Sequence, residues 1–460
     1  MTTVDNGDDV VVTQVNIPEV EINEEALPYQ ETERFCTWRK HSRDLYQQLF
    51  HVDLVWETPA AQLMPYVTKK NGLTTHTIMC GTRTGGQEQC FLQLLSATLP
   101  CDAARLDDGE TPLCEATGEV GGYGMAPQQC GLQVDRRILH DGDVLAARYM
   151  YSNPLLVASS SSNGAVYIFD WSRISLKTFP NDPPRPRAPL PPNELSENPT
   201  DEDRNQYRQR LSALHAVATE QDRWDQRTGP GQHVLRLNGN EGFSDTLDWN
   251  TKEEGLLAAG SMGKVCLWSI GGQSKDSPAV LDPLHAYEVA DEESRVNGVA
   301  FSWAEPHSFV CSSTSGALYL GDVRSPDITE MFSLPCAASS AALSPLDGNL
   351  LLTGGVDGGV YLYDFRKDVE PVAVEQLHSS DVTSLAWCPH ASSLFASGSK
   401  DSNVCIYNVA RKKTLFKHAG HTDDILDLGW NWQEDSAGQL LSGDSNAIMM
   451  WRPRDMFFTS

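Results

Sequence analysis

One unit recurs down the second half of this chain and limits what it can fold into. Trp387 and Trp430 stand 43 residues apart, and Tyr363, Tyr407 and Trp451 follow one another at spacings of 44 and 44. The clearest copy opens at His378-Ser-Ser-Asp-Val-Thr-Ser-Leu-Ala-Trp387 and closes at Val404-Cys-Ile-Tyr-Asn408. A unit of this period, with a His near its start and an aromatic beside an acid or amide at its end, is one small sheet of about four strands. Such a sheet alone has two unpaired edges, and setting copies radially around a channel protects them. About seven copies need roughly 300 residues. The 460 residues are therefore read as one ring with insertions rather than as several ordinary domains.

Further blades are read from strand-like runs. Blade two is expected over about Val134 to Trp171, blade three around Thr246–Trp249 and Lys264–Trp268, and blade four around Val299–Trp303 and Ala317–Asp322. Blade five holds Val360–Asp364, blade six is the unit above, and blade seven runs from His421 to Arg452. Ahead of the ring, residues 1–28 are acidic with few large apolar groups, a composition expected to stay disordered. Residues 29–51 carry Phe35, Trp38, Leu45, Leu49 and Phe50 among charged residues, with no Gly or Pro, and read as an amphipathic helix packed on the propeller. Val52 to Met64 alternates like a strand and is expected to close the ring as the outermost strand of the last blade. The propeller then occupies 52–460, interrupted at 177–231 by a proline-rich stretch and a helix capped at Thr200-Asp-Glu-Asp. The prolines of 183–192 suit either a spacer or a peptide ligand.

The formal charge of -27 disfavours direct nucleic-acid binding, which needs the opposite sign. It suits basic partners, and it also suits a merely solvated surface. Eleven cysteines with no Cys-x-x-Cys pair indicate a reducing, intracellular compartment. No apolar run approaches the roughly 18 residues of a membrane span. No phosphate loop, nucleophile elbow or His-Glu-x-x-His occurs, and Gly121-Gly-Tyr-Gly precedes no helix. No catalytic residue, metal site or cofactor is expected.

The closing aromatics and opening histidines are those of WD40 repeats. Within that fold, Glu31-Thr-Glu-Arg-Phe-Cys-Thr-Trp-Arg-Lys40, Leu45-Tyr46, Leu54-Val-Trp56, Thr58 and Gln62-Leu-Met-Pro65 resemble one branch, the retinoblastoma-binding, histone-binding family. That family includes the small subunit of chromatin assembly factor one. Matches continue at Gly121-Gly-Tyr-Gly, His140-Asp-Gly-Asp-Val, Ala147-Arg-Tyr-Met150, Glu241-Gly-Phe, Gly420-His-Thr and Asn446-Ala-Ile-Met-Met-Trp451. The resemblance implies an all-β, seven-bladed WD40 propeller with an N-terminal α-helix. It implies a nuclear histone-binding scaffold, monomeric within hetero-complexes, whose partners are core histones H3 and H4 or other basic peptides and the larger subunits of chromatin complexes.

Two sites follow from the resemblance. A top rim for a basic peptide maps to Asp141, Asp143, Glu241, Phe243, Asn297, Asp381 and Asp444, with Ser339 at the blade-five position. A ring of carboxylates at a mouth would hold Lys or Arg by charge-assisted hydrogen bonds, although Asp is also common at blade corners for turn geometry alone. A side site for a histone H4 helix maps to Leu45, Leu49 and Phe50. Relatives complete it with an acidic loop, where this chain has Ala410-Arg-Lys-Lys-Thr-Leu-Phe-Lys-His418, short and basic, which repels a basic helix. The alternative is a substrate receptor of a cullin-type ubiquitin ligase, suggested by Asp322-Val-Arg324 and Asp364-Phe-Arg366.

Overall fold

The structure, a computed structural model, describes residues 33–100, 131–173, 233–240, 242–271, 280–289, 294–367 and 370–459. The expectations for residues 1–28, the start of the helix at 29–32, Gly121-Gly-Tyr-Gly, nearly all of the 177–231 insertion, and Glu241 lie outside them.

Strands of this chain are apolar on both faces because each sheet is sandwiched between two neighbours; Leu256–Gly260 and Leu394–Ser399 are buried at every position. Seven sheets result, a seven-bladed β-propeller. Their innermost strands are Glu57–Lys70, Val144–Met150, Thr246–Trp249, Val296–Phe301, Ala338–Leu343, Val382–Trp387 and Ile425–Trp430. Consecutive inner strands touch around the circle, and the first meets the last. Blade two carries a fifth strand, Val280–Leu281, added parallel to Leu235–Leu237.

A sequence device locks blade to blade. A glycine near the end of a second strand faces the first β-branched residue of the next blade: Gly81 against Val144, Gly260 against Val296, Gly354 against Val382, and Gly398 against Ile425. A Cβ on Gly398 would sit 2.6 Å from the Ile425 side chain, so only glycine permits the approach. Each lock fixes where the following inner strand starts.

Two expectations at the entrance are corrected. The helix spans Glu33–Leu45 and stops there; Tyr46–Asp53 is a strand. It pairs antiparallel with Ala447–Pro453, matching Leu49 with Trp451 and Phe50 with Met450. Residues 46–50 are compatible with a helix, but the last strand of blade seven offers a row of unpaired backbone groups, and pairing with it satisfies both partners. This segment therefore closes the ring, in place of Val52–Met64. Glu57–Lys70 is instead the inner strand of blade one, and Gly131–His140 is that blade's outer strand rather than the start of blade two.

The helix is anchored through aromatics. Phe35 and Trp38 are buried, Trp38 Nε1 donates to Tyr46 Oη at 2.7 Å, and Tyr46 Oη lies 2.5 Å from His418 Nδ1. His418 stacks on Trp451 with ring centres 4.4 Å apart. Burial holds the His418 imidazole well below its ordinary pKa, so it is neutral and serves packing.

Candidate functional site

The opening histidines belong to the scaffold. His421 Nδ1 bonds Asp444 at 3.0 Å and Nε2 bonds Ser442 Oγ at 2.6 Å, while Trp451 Nε1 donates to the same hydroxyl at 2.9 Å. His378 repeats this with Asp401 and Ser397. His140 reaches Ser159, but its Nδ1 meets the Gly142 carbonyl instead of a carboxylate. Asp444 is fully buried and also accepts from the backbone N–H of Thr422, Asn446 and Ala447. Burial opposes its charge, but the His421 bond and these amides outweigh it and hold its pKa low. Asp444 is therefore a structural acid that no peptide reaches, a correction to its expected place on the rim.

The residue that does face the mouth is recognisable by position. One residue ahead of an inner strand stand Asp143, Asp245, Asp381 and Asp424. All inner strands share one polarity around the channel: Val299 N reaches Thr246 Oγ1, Thr383 Oγ1 reaches the Ile425 carbonyl, and Asn297 Nδ2 reaches the Ala338 carbonyl. Their starts thus gather at one end. Asp245 and Asp424 were missed in the sequence, where Phe243 and Asp444 were taken for blades three and seven. The signal was there, an Asp directly before the first strand residue, but it needs strand boundaries known to one residue.

These acids differ in availability. Asp143 accepts from Thr84 N at 2.8 Å, Gly85 N at 3.1 Å and Cys90 Sγ at 3.1 Å; burial raises its pKa, and these bonds more than offset that. Asp141 is exposed and accepts from Asn163 and Tyr167. Asp245 is paired with Arg295 and Asp381 with Lys400, the latter at 2.7 Å. Asp424 has its pKa raised, first by burial and then by Asp423, with Asp381 adding to the repulsion. Blades six and seven thus concentrate three carboxylates, Asp381, Asp423 and Asp424, around the single ammonium of Lys400. Phe243, two residues before Asp245, is 53% exposed, an apolar contact point on the same face. Asn297 is committed to the Ala338 carbonyl at 3.0 Å, and Ser339 Oγ to the Gly354 and Val382 carbonyls, so blades four and five contribute little charge.

The channel below is closed by charge and by rings. Arg148 of blade two makes two bonds to Asp427 of blade seven, at 2.8 and 3.0 Å. Burial lifts Asp248 to a pKa of about 7. At the far mouth, Trp303 and Trp432 stack at 4.8 Å with Tyr151 against Trp303. The far end is an aromatic plug, and the acidic end is the open face.

The side site is also corrected. Leu49 and Phe50 lie on the closing strand, 0% and 2% exposed, inside the interface between blades. Leu45, half-buried at the helix end, does line an open groove, together with Arg34, Trp38, His41 and Lys417. The acidic loop found in relatives is here a tight turn between Val404–Asn408 and Lys413–His418, with Lys412 at φ 51.

The Asp-x-Arg sequences fold back on themselves. Arg324 bonds Asp322 at 2.6 and 2.9 Å, and Arg366 bonds Asp364 at 2.8 and 3.0 Å. They are local corner pairs and lend no support to a ligase receptor.

Comparison with known proteins agrees with this architecture. Residues 33–101 match the family of the histone-binding protein RBBP4 and its counterpart in the CAF1 complex, and residues 370–408 match the WD domain, G-beta repeat. The WD-40 repeat-containing protein MSI3 of Arabidopsis thaliana is 24% identical, covering 93% of this chain and 91% of its own. The histone acetyltransferase type B subunit 2 of Candida glabrata is 22% identical over 92% of this chain and 89% of its own length. The histone-binding protein MSI1 of Saccharomyces cerevisiae is 22% identical over 93% and 95%. With the helix, the ring closure and the seven blades accounted for, this chain is a divergent member of the retinoblastoma-binding, histone-binding family of WD40 propellers.

Proposed function

We propose that this protein is a non-catalytic, histone-binding scaffold subunit of chromatin assembly or modifying complexes, acting in the nucleus. It holds a basic segment of histone H3 or H4 at the acidic mouth of the propeller. The supporting observation is the repeated Asp one residue before an inner strand at Asp143, Asp245, Asp381 and Asp424, on a chain of charge -27. Carboxylates gathered at a mouth with low-dielectric walls concentrate negative potential and steer a cationic peptide. The excess of acids over Lys400 at blades six and seven leaves acceptors for an incoming Lys or Arg.

The test is fluorescence anisotropy with a labelled H3 N-terminal peptide at rising salt. Asp381→Lys with Asp424→Lys should weaken binding about tenfold or more and flatten the salt dependence, since attraction becomes repulsion at two points. An affinity unchanged within about twofold would remove the rim from the mechanism.

A further inference from the structure

The side groove carries the wrong sign for a histone, and its geometry points to a different occupant. One wall is the helix Glu33–Leu45 and the other is the outer strand of blade six, Lys413–His418. Trp38, Leu45 and Ala419 supply an apolar floor, and Arg34, His41 and Lys417 stand exposed along it. Among the described residues neither Arg34 nor Lys417 has a carboxylate partner; Arg34 bonds only the amide of Asn403, at 3.1 Å. The surroundings continue the pattern. Arg34, Arg39, Lys40 and Arg43 lie on the helix, and Arg411, Lys412, Lys413 and Lys417 on the facing turn and strand. The acids over the same residues are Glu33 and Asp44. On a chain of net charge -27 this is a local reversal of sign.

We propose that this groove docks an amphipathic helix with an acidic polar face, supplied by a partner protein. The 13-residue wall is about 20 Å long, the length of roughly three and a half helical turns. A partner helix of that length lays apolar residues at i, i+3/i+4 and i+7 over Trp38, Leu45 and Ala419. Its flanking Glu or Asp residues then meet Arg34 and Lys417. The tight turn at Lys412 leaves the groove uncovered and lines its lower end with cations. A nucleic acid fits less well, because the floor is apolar and the rest of the chain repels phosphate. The groove works independently of the rim: basic peptides go to the acidic mouth and an acidic helix to the basic side, so one ring can bridge a histone to another subunit.

Two labelled helical peptides with one shared leucine stripe, Glu or Lys at all other positions, are titrated into the full chain, with a short DNA duplex as the third probe. The Glu peptide should bind about tenfold tighter than the Lys peptide, with an affinity that falls as salt rises. Arg34→Glu with Lys417→Glu should abolish or invert that preference, and Arg34→Gln with Lys417→Gln should weaken it without inversion. Both pairs should leave H3-peptide binding unchanged, which separates this site from the rim. Equal binding of the two peptides, preference for the Lys peptide, tighter binding of the duplex, or a preference surviving charge reversal would each overturn the proposal.

Discussion

The ion pair between Arg148 and Asp427 is where the ring's closure can be tested most directly. Asp427 is 3% exposed and takes both guanidinium bonds, and the amide of Ala61 adds a third contact at 3.0 Å. Blades two, one and seven are thereby joined across the channel. Removing one partner of a buried pair destabilises by about 3–5 kcal/mol because a charge is left uncompensated. The Arg148 side chain keeps 30% of its exposure to the channel, which moves the expectation to the lower end, about 3 kcal/mol for Asp427→Asn. Arg148→Met should cost about 2 kcal/mol, since Asp427 retains the Ala61 amide. The double variant, Arg148→Met with Asp427→Leu, should lose less than the sum of the singles, with a coupling of about 1–3 kcal/mol. Urea denaturation followed by tryptophan fluorescence measures all three. Singles within about 0.5 kcal/mol of the unmodified protein, or a double equal to the sum, would refute the claim that this pair staples the ring.

Other outcomes follow from the same geometry. The bond to Asp401, working against burial, raises His378 to about 9, so its stabilisation is complete below the ordinary pKa of about 6.5 and is lost as pH climbs through about 9. Asp401 is depressed by the same pair, and its share is lost only in acid. The stability gap between the unmodified protein and His378→Gln, measured by urea midpoint, should therefore be larger near pH 6 than near pH 9.5 by on the order of 2 kcal/mol. Asp444→Ala should destabilise by about 3 kcal/mol, yet leave H3-peptide affinity intact at a temperature where the variant stays folded. Gly420→Ala places a Cβ 2.5 Å from the Trp38 ring; it should lower thermal stability by about 1–3 kcal/mol and increase amide exchange along Glu33–Leu45.

Much of the site was legible because its signals are local. Asp143 and Asp381 sit directly before strand starts that the alternation of Val144 and Val382 already marks, and the basic stretch 410–418 is visible as composition. Asp444 misled because an Asp at a blade corner has two destinations. It can point to solvent before an inner strand, as Asp381 does, or bind the opening His from within, as Asp444 and Asp401 do. Which one applies depends on a His more than twenty residues upstream in the chain and on the strands between them.

The sequence by itself determined the architecture: a 43- to 44-residue period, β-branched alternation and glycines at the blade contacts are repeated local patterns, and repetition leaves a ring as their way to hide sheet edges. Tertiary structure alone decided how the ring closes and which residues stay exposed. Residues 46–53 became strand because the free edge of Ala447–Pro453, about 400 residues away, had backbone groups to satisfy. That pairing buried Leu49 and Phe50, ended the helix at Leu45, and left a groove between Arg34 and Lys417 whose charge no local pattern announces. Long-range pairing of this kind is worth more than the helical preference of five residues, and only the folded ring brings its two partners together.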